Sequence, residues 1–282
     1  MQMANFHGVK LPAIGMGTWH MGSVPENYAH EAAVLQFGLQ NGAVAIDTAE
    51  QYGSGDAEKL VGTAIKNFPR DRIFLISKFM PNHADRQSMN VALDRSLTRL
   101  GTDYLDLYLY HWPGSTPLDQ VVANLEAIRQ SGKIRHWGVS NFDLADMQHL
   151  LRVPGGSHVF ANEDLYNIAS RGLDYDLLPW QRRHQIPLIA YAPIDQGDTR
   201  QHRLRNSHNL QVVAKRHHAS VFQIMLAWAI RDSQTLAIPQ TSQVNHMRSN
   251  LNSVKIKLTA DDLRDLNHDF PKPQTKQPLD II

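Results

Sequence analysis

Four side chains of different acidity stand at corresponding places along the chain: Asp47, Tyr52, Lys78 and His111. Asp47 ends an apolar run (43–47), and Tyr52 lies in the connection after it. Lys78 follows the run 73–77, and His111 follows the run 104–110. A phenol of pKa about 10 donates well near neutral pH only if that value is brought down. A nearby ammonium stabilises the phenolate, which gives Lys78 that task. Asp47 holds the ammonium in place and keeps it charged, and His111 hydrogen-bonds and orients a substrate oxygen. The set suits a carbonyl whose carbon accepts a hydride while Tyr52 protonates the developing alkoxide. No side chain supplies a hydride, so the chemistry calls for a cofactor.

Taken singly, each residue has an ordinary reading. Asp47 caps a turn, Tyr52 packs, Lys78 is a solvated charge, and His111 is a satisfied histidine before Trp112-Pro113. Their joint placement at consecutive strand ends argues for a site, because such ends lie only about 5 Å apart laterally.

The elements that position them follow a strict alternation. Strands are expected at 13–17, 43–47, 73–77, 104–110, 134–140, 159–162, 187–191 and 236–238. Helices are expected at 29–40, 57–66, 88–100, 118–131, 144–151, 173–184, within 210–231, and at 244–252. In residues 104–110 the leucines Leu105, Leu107 and Leu109 are interleaved with Tyr104, Tyr108 and Tyr110, as in a strand covered on both faces. Eight strand–helix units predict an α/β fold, a single (β/α)₈ TIM barrel over residues 1–282, whose C-terminal strand ends carry the catalytic face. A short N-terminal hairpin (5–11) and a C-terminal extra helix (259–268) stand outside the repeat. The helix starts on Thr259 with Asp262 three residues on, and an irregular tail (271–282) follows. The polar stretch 195–209 is long for a connection after a strand.

Composition narrows the function. The 28 basic and 27 acidic side chains nearly cancel, which argues against nucleic acid or an anionic membrane surface as partner. The chain has no cysteine, so disulfide scaffolds and thiolate zinc sites are excluded. Met1–Lys10 shows no apolar core of signal-peptide length, and the longest apolar run, 221–230, is too short for a membrane span. The expectation is a cytoplasmic monomer acting on a small molecule. His217-His218 face apart on a helix, and His202 and His208 are read as lying in the loop, so no metal is expected. Gly15-Met16-Gly17 and Gly53-Ser54-Gly55 lack the Gly-x-Gly-x-x-Gly spacing of a doubly wound dehydrogenase.

At the segments 46–53, 77–78, 106–112, 138–142, 191–193 and 238–239 the sequence resembles the aldo-keto reductase family, and within it the bacterial methylglyoxal-reductase-like members. The resemblance runs from about Leu11 to the last helix. It implies NADPH as cofactor, with NADH or dual use open, and the catalytic set Asp47, Tyr52, Lys78 and His111. It further implies that Ser140 and Asn141 hold the nicotinamide carboxamide, that Tyr191 stacks on the ring, and that Ile238, Gln240, Thr241, His246 and Asn250 lie along the cofactor. For Ser140 and Asn141 the other reading is a cap for the following helix. Two departures stand out. Glu163 aligns where the family usually has a Gln bonded to the carboxamide. Gln240 aligns where NADPH-preferring members commonly carry Lys or Arg for the 2′-phosphate; Arg200, Arg203 and Arg205 in the long loop offer replacement charge, or form a solvated basic loop. Trp19 and Trp112 are expected as substrate-pocket walls, with Met80 and the tail near Pro278 as further members. Such a wall suits small aldehydes or ketones, with methylglyoxal-like 2-oxoaldehydes as a first guess from the resemblance. The alternative is a catalytically weak NAD(P)H-binding regulatory subunit on the same fold; a glycosidase is disfavoured because Asp47 and Glu50 make no convincing carboxylate pair.

Overall fold

A computed structural model of the chain describes residues 2–195, 204 and 206–282; Arg200, Arg203, Arg205 and His202 lie outside them. The chain opens with a hairpin, β1 (Met3–Phe6) and β2 (Val9–Pro12), paired antiparallel with Phe6 opposite Val9. The two turn residues, His7 and Gly8, both have positive φ, as the tightest hairpin turns require. Ala4, Phe6 and Leu11 are buried with Phe74 and Phe160, so the hairpin plugs one end of the barrel.

Eight parallel strands follow: β3 (Met16–Gly17), β4 (Ala45–Asp47), β5 (Phe74–Phe79), β6 (Leu105–Tyr110), β7 (Ile134–Ser140), β8 (Asn162–Leu165), β9 (Leu188–Tyr191) and β10 (Thr235–Ala237). The sheet closes on itself through a parallel bridge between Ile14 and Ala237, with Gly15 N–H donating to Ala237 O at 2.8 Å and Gly17 N–H to Pro239 O at 3.2 Å. A Cβ on Gly17 would lie 2.7 Å from Ile238 O, so this seam needs glycine. Between the strands run α1 (Pro25–Gln40), α2 (Asp56–Ile65), α3 (Arg86–Leu100), α4 (Leu118–Gln130), α5 (Leu144–Leu150), α6 (Leu177–Arg183), α7 (His208–Arg216), α8 (Val221–Ala229) and α9 (Val244–Asn252), and α10 (Ala260–Asp269) follows the last unit. Strand side chains alternate between two layers. Leu107 and Leu109 of β6 join the interior core, whereas Tyr108 and Tyr110 join the layer under the helices. Both faces are therefore dry, which explains the interleaved leucines and tyrosines at 104–110.

The expected barrel is present, with local differences. Pairing at 13–17 is regular only from Met16, because β3 is the seam strand. The sixth strand is Asn162–Leu165 rather than 159–162; Asn162, Glu163 and Asp164 read as polar yet are buried within it. The stretch 210–231 divides into α7 and α8 at His218, which has positive φ, and Ser220 caps α8 with Gln223. His208 begins α7 instead of lying in a loop, because Ser207 caps that helix by accepting from Leu210 N–H. The cap on α10 is Thr259 with Asp262, as the sequence indicates. No helix among the described residues is long and apolar enough to cross a membrane.

Candidate active site

The carboxyl ends of β4, β5 and β6 carry the four expected side chains, and the backbone there stays paired beyond the strands. Thr48 N–H donates to Ile76 O, Glu50 N–H to Lys78 O and His111 N–H to Phe79 O. Lys78, fully buried, points inward. Its Nζ donates to Asp47 Oδ1 at 2.5 Å, to Thr48 O at 3.1 Å and to the Tyr52 hydroxyl at 3.3 Å. Tyr52 begins a tight turn in which Gly53, Ser54 and Gly55 all have positive φ. A Cβ on Gly53 would strike the Ser23 hydroxyl, so this glycine lets the chain bend sharply enough to aim the phenol at Lys78. The His111 ring stands edge-on to Tyr52, with centroids 5.9 Å apart.

Charges in this pocket are set by burial. Desolvation alone would lower the Lys78 pKa, but the neighbouring carboxylate of Asp47, the largest opposing influence, keeps the ammonium protonated. Burial, then Lys78, push His111 down to about 3, so its imidazole is neutral. For Tyr52 the sequence reading expects a lowered pKa. The structure reverses that direction: burial raises it, the Asp47 carboxylate adds to the rise, and Lys78 only partly opposes them. Tyr52 thus rests firmly protonated, and Lys78 acts by stabilising the phenolate once the proton has left.

Behind this set lies a frame of polar groups. Ser140 Oγ donates to Glu163 O at 2.9 Å. Asn141, at a positive φ that asparagine tolerates, donates to His111 O and Ser140 Oγ and accepts from the Tyr191 hydroxyl at 2.8 Å. The cap of α5 is Asp143 with Asp146, so Ser140 and Asn141 do not serve as that cap. Glu163 Oε1 lies 3.3 Å from Lys78 Nζ, and its other oxygen, Oε2, is buried without a partner. Glu50, unassigned by the sequence reading beyond its poor pairing with Asp47, accepts from Met80 N–H and pairs with His83 Nδ1, both at 2.7 Å. It ties together the connections after β4 and β5.

Asp47, Tyr52 and His111 line a cavity of about 1330 Å³, with Lys78 buried behind them. That volume exceeds the roughly 300–1,000 Å³ of typical small-ligand pockets. Trp19, Trp112, Ser140, Asn141, Glu163, Tyr191, Ile238 and Gln240 are in its wall. Thr241, His246 and Asn250 are outside that wall: Thr241 accepts from Gln243 N–H before α9, His246 is exposed on α9, and Asn250 is buried in it. Arg248 lies over the Phe37 ring at 5.1 Å. Met80 is also outside the wall, its amide held by Glu50. The tail contributes Pro278, Leu279, Ile281 and Ile282, and the α5 cap contributes Asp143 and Asp146. The two aspartates were missed because capping residues carry no separate signal for facing a pocket. A large cavity with aromatic lining at Trp19, Trp112 and Tyr191, orphaned polar atoms at Glu163 Oε2 and His111 Nδ1, and a glycine-lined seam at Gly17 fits a flat, amide-bearing dinucleotide beside a small substrate.

Comparison with known proteins agrees with this architecture. The model of the Aldo/keto reductase family matches residues 13–268. The chain is 42% identical over 282 residues to methylglyoxal reductase YeaE of Escherichia coli (strain K12), covering 100% of this chain and 99% of that protein. It is 29% identical to glyoxal reductase of Bacillus subtilis (strain 168), covering 91% and 88%. A crystal structure of an aldo/keto reductase from Klebsiella pneumoniae in complex with NADP and acetate superposes with a TM-score of 0.97 at 42% identity, covering 100% of this chain and 99% of that one.

Proposed function

The chain belongs to the aldo/keto reductase family, and from that membership we propose that it reduces small aldehydes and ketones to alcohols with NADPH, with Tyr52 as the proton donor. The observation that carries this reading is the buried chain Asp47–Lys78–Tyr52 ending at a cavity beside a neutral His111. Bound nicotinamide supplies the hydride. The residues of the chain do the rest. His111 offers the substrate oxygen a hydrogen bond without adding charge. Tyr52 gives its proton to that oxygen as negative charge develops there. Lys78, kept charged by Asp47, stabilises the phenolate left behind.

Trp19, Trp112 and the tail residues Leu279 and Ile281 supply an apolar wall. Asp143 and Asp146 at the same cavity disfavour anionic substrates by like-charge repulsion. A small neutral 2-oxoaldehyde such as methylglyoxal fits both features, and two relatives are reductases of methylglyoxal and of glyoxal. NADPH is favoured by the nucleotide of the Klebsiella structure. Gln240, in place of a fixed cation, leaves NADH as a second donor. Ser140, Asn141, Glu163, Tyr191 and Ile238 would hold the nicotinamide end, and Gln240, Thr241, His246 and Asn250 the adenosine end. We read the whole chain, 1–282, as one cytoplasmic monomeric unit. The test is to follow the absorbance of reduced nicotinamide with purified protein and methylglyoxal. Consumption of NADPH with formation of the alcohol is expected; tight cofactor binding without turnover on a panel of aldehydes and ketones would overturn the reading.

A further inference from the structure

The cluster beneath Tyr52 holds one ammonium and two carboxyls. Lys78 Nζ contacts Asp47 Oδ1 at 2.5 Å and Glu163 Oε1 at 3.3 Å, with the three side chains 0%, 3% and 2% exposed. Two ionised carboxyls around one buried ammonium leave an uncompensated negative charge, which a dry interior tolerates poorly. Both carboxyls stand on the same ammonium, where two ionised groups repel each other and a neutral one does not. Glu163 Oε2 is buried with no partner. As part of an ionised carboxylate it would bear a full desolvation cost, which a neutral carboxyl avoids.

We propose that Glu163 is held as a neutral carboxylic acid, leaving the Asp47–Lys78–Glu163 cluster without net charge, and that it acts as a positioning residue keeping Tyr52 an effective acid. This rests on the reading of Tyr52 as proton donor. The titratable and charged groups around Glu163 are Asp47 from β4, Tyr52 from the following connection, Lys78 from β5 and Tyr191 from β9, with His111 at the end of β6 on the same cavity. Burial first, and then Asp47, hold Glu163 above the ordinary carboxylate range against the pull of Lys78. Ionisation of Glu163 would place a negative charge near Tyr52. That charge raises the phenol further and weakens it as an acid.

The test combines infrared spectroscopy with a pH profile. In protein carrying ¹³C-carboxyl glutamate, without cofactor, a carboxylic-acid carbonyl band is expected at neutral pH. It should shift with the label, which separates it from buried Asp164, be missing in Glu163→Gln, and disappear on raising the pH. Wild-type kcat for reduction should fall by about tenfold per unit above that transition, while kcat of Glu163→Gln, whatever its value at pH 7, shows no such fall there. Only carboxylate bands from Glu163 at neutral pH, or superimposable alkaline profiles of the two proteins, would overturn the proposal. The labelled wild type carries the spectroscopic test even if the variant folds poorly. A band present with no NADPH consumed by either protein would overturn the reductase reading and the positioning role, but not the protonation state.

Discussion

The Tyr52 hydroxyl meets the Lys78 ammonium at 3.3 Å, with Lys78 fully buried and Tyr52 opening onto the cavity. The pair joins a charge that solvent cannot screen to a phenol that a substrate can reach. An ammonium is worth far more to a phenolate there than at the surface.

Removing Lys78 should damage folding as well as rate. Lys78→Met leaves Asp47 and Glu163 facing each other without a cation, and breaking a buried pair in this way costs about 3–5 kcal/mol. A chemical-denaturation midpoint for Lys78→Met equal to that of wild type would show that the ammonium is not needed to hold the carboxyls.

His111 sets a distinct pH signature for stability. Its folded pKa is depressed to about 3 from an ordinary 6.5, so the unfolded chain binds the proton first. The contribution is therefore fully present above pH 6.5 and is lost as pH falls toward 3. In that window the slope attributable to His111 approaches about 1.4 kcal/mol per pH unit. Replacing His111 with Asn should flatten the wild-type slope by that amount; equal slopes from pH 6.5 to 4 would contradict a buried neutral imidazole.

Cofactor choice should respond to position 240. Gln240 lies in the cavity wall beside the Gly17 seam. Gln240→Arg supplies a fixed charge for a 2′-phosphate and should raise the ratio of kcat/KM for NADPH over NADH by about tenfold, or 1.4 kcal/mol. An unchanged ratio would place the 2′-phosphate elsewhere.

The hairpin plug should matter for stability and not for chemistry. Phe6 is fully buried and lies 5.8 Å from the Phe160 ring, at the barrel end remote from Tyr52. Phe6→Ala should cost about 3–5 kcal/mol of unfolding free energy while leaving kcat of the folded protein within about twofold. A large loss of kcat in folded Phe6→Ala would mean that the two barrel ends are coupled.

Much of this was legible in the sequence because the barrel writes its periodicity into the chain. The interleaved leucines and tyrosines at 104–110 and the capping pair Thr259 and Asp262 are local signals, and the structure uses them locally. Where the reading slipped, a tertiary environment overrode the residue type. Glu163 and Asp164 fall beyond the expected strand 159–162 but belong to the observed one, where the interior supplies Lys78 for Glu163 and Phe142 O for the side chain of Asn162. The lysine predicts an acidified Tyr52, whereas the rise follows from burial first and then from the Asp47 carboxylate, neither of which spacing reveals. The second task of Asp143, capping α5 while reaching the cavity, depends on where the tail comes to rest.

The central claim is that Tyr52 hands a proton to the substrate oxygen. The most direct measurement is single-turnover reduction of methylglyoxal by the protein pre-loaded with NADPH, comparing wild type with Tyr52→Phe, alongside NADPH affinity from tryptophan fluorescence. The account predicts unchanged affinity, within about threefold, and a chemical step slowed by about 10²–10⁴-fold, the usual worth of a general acid. A variant that binds NADPH and reduces methylglyoxal at the wild-type rate would contradict it.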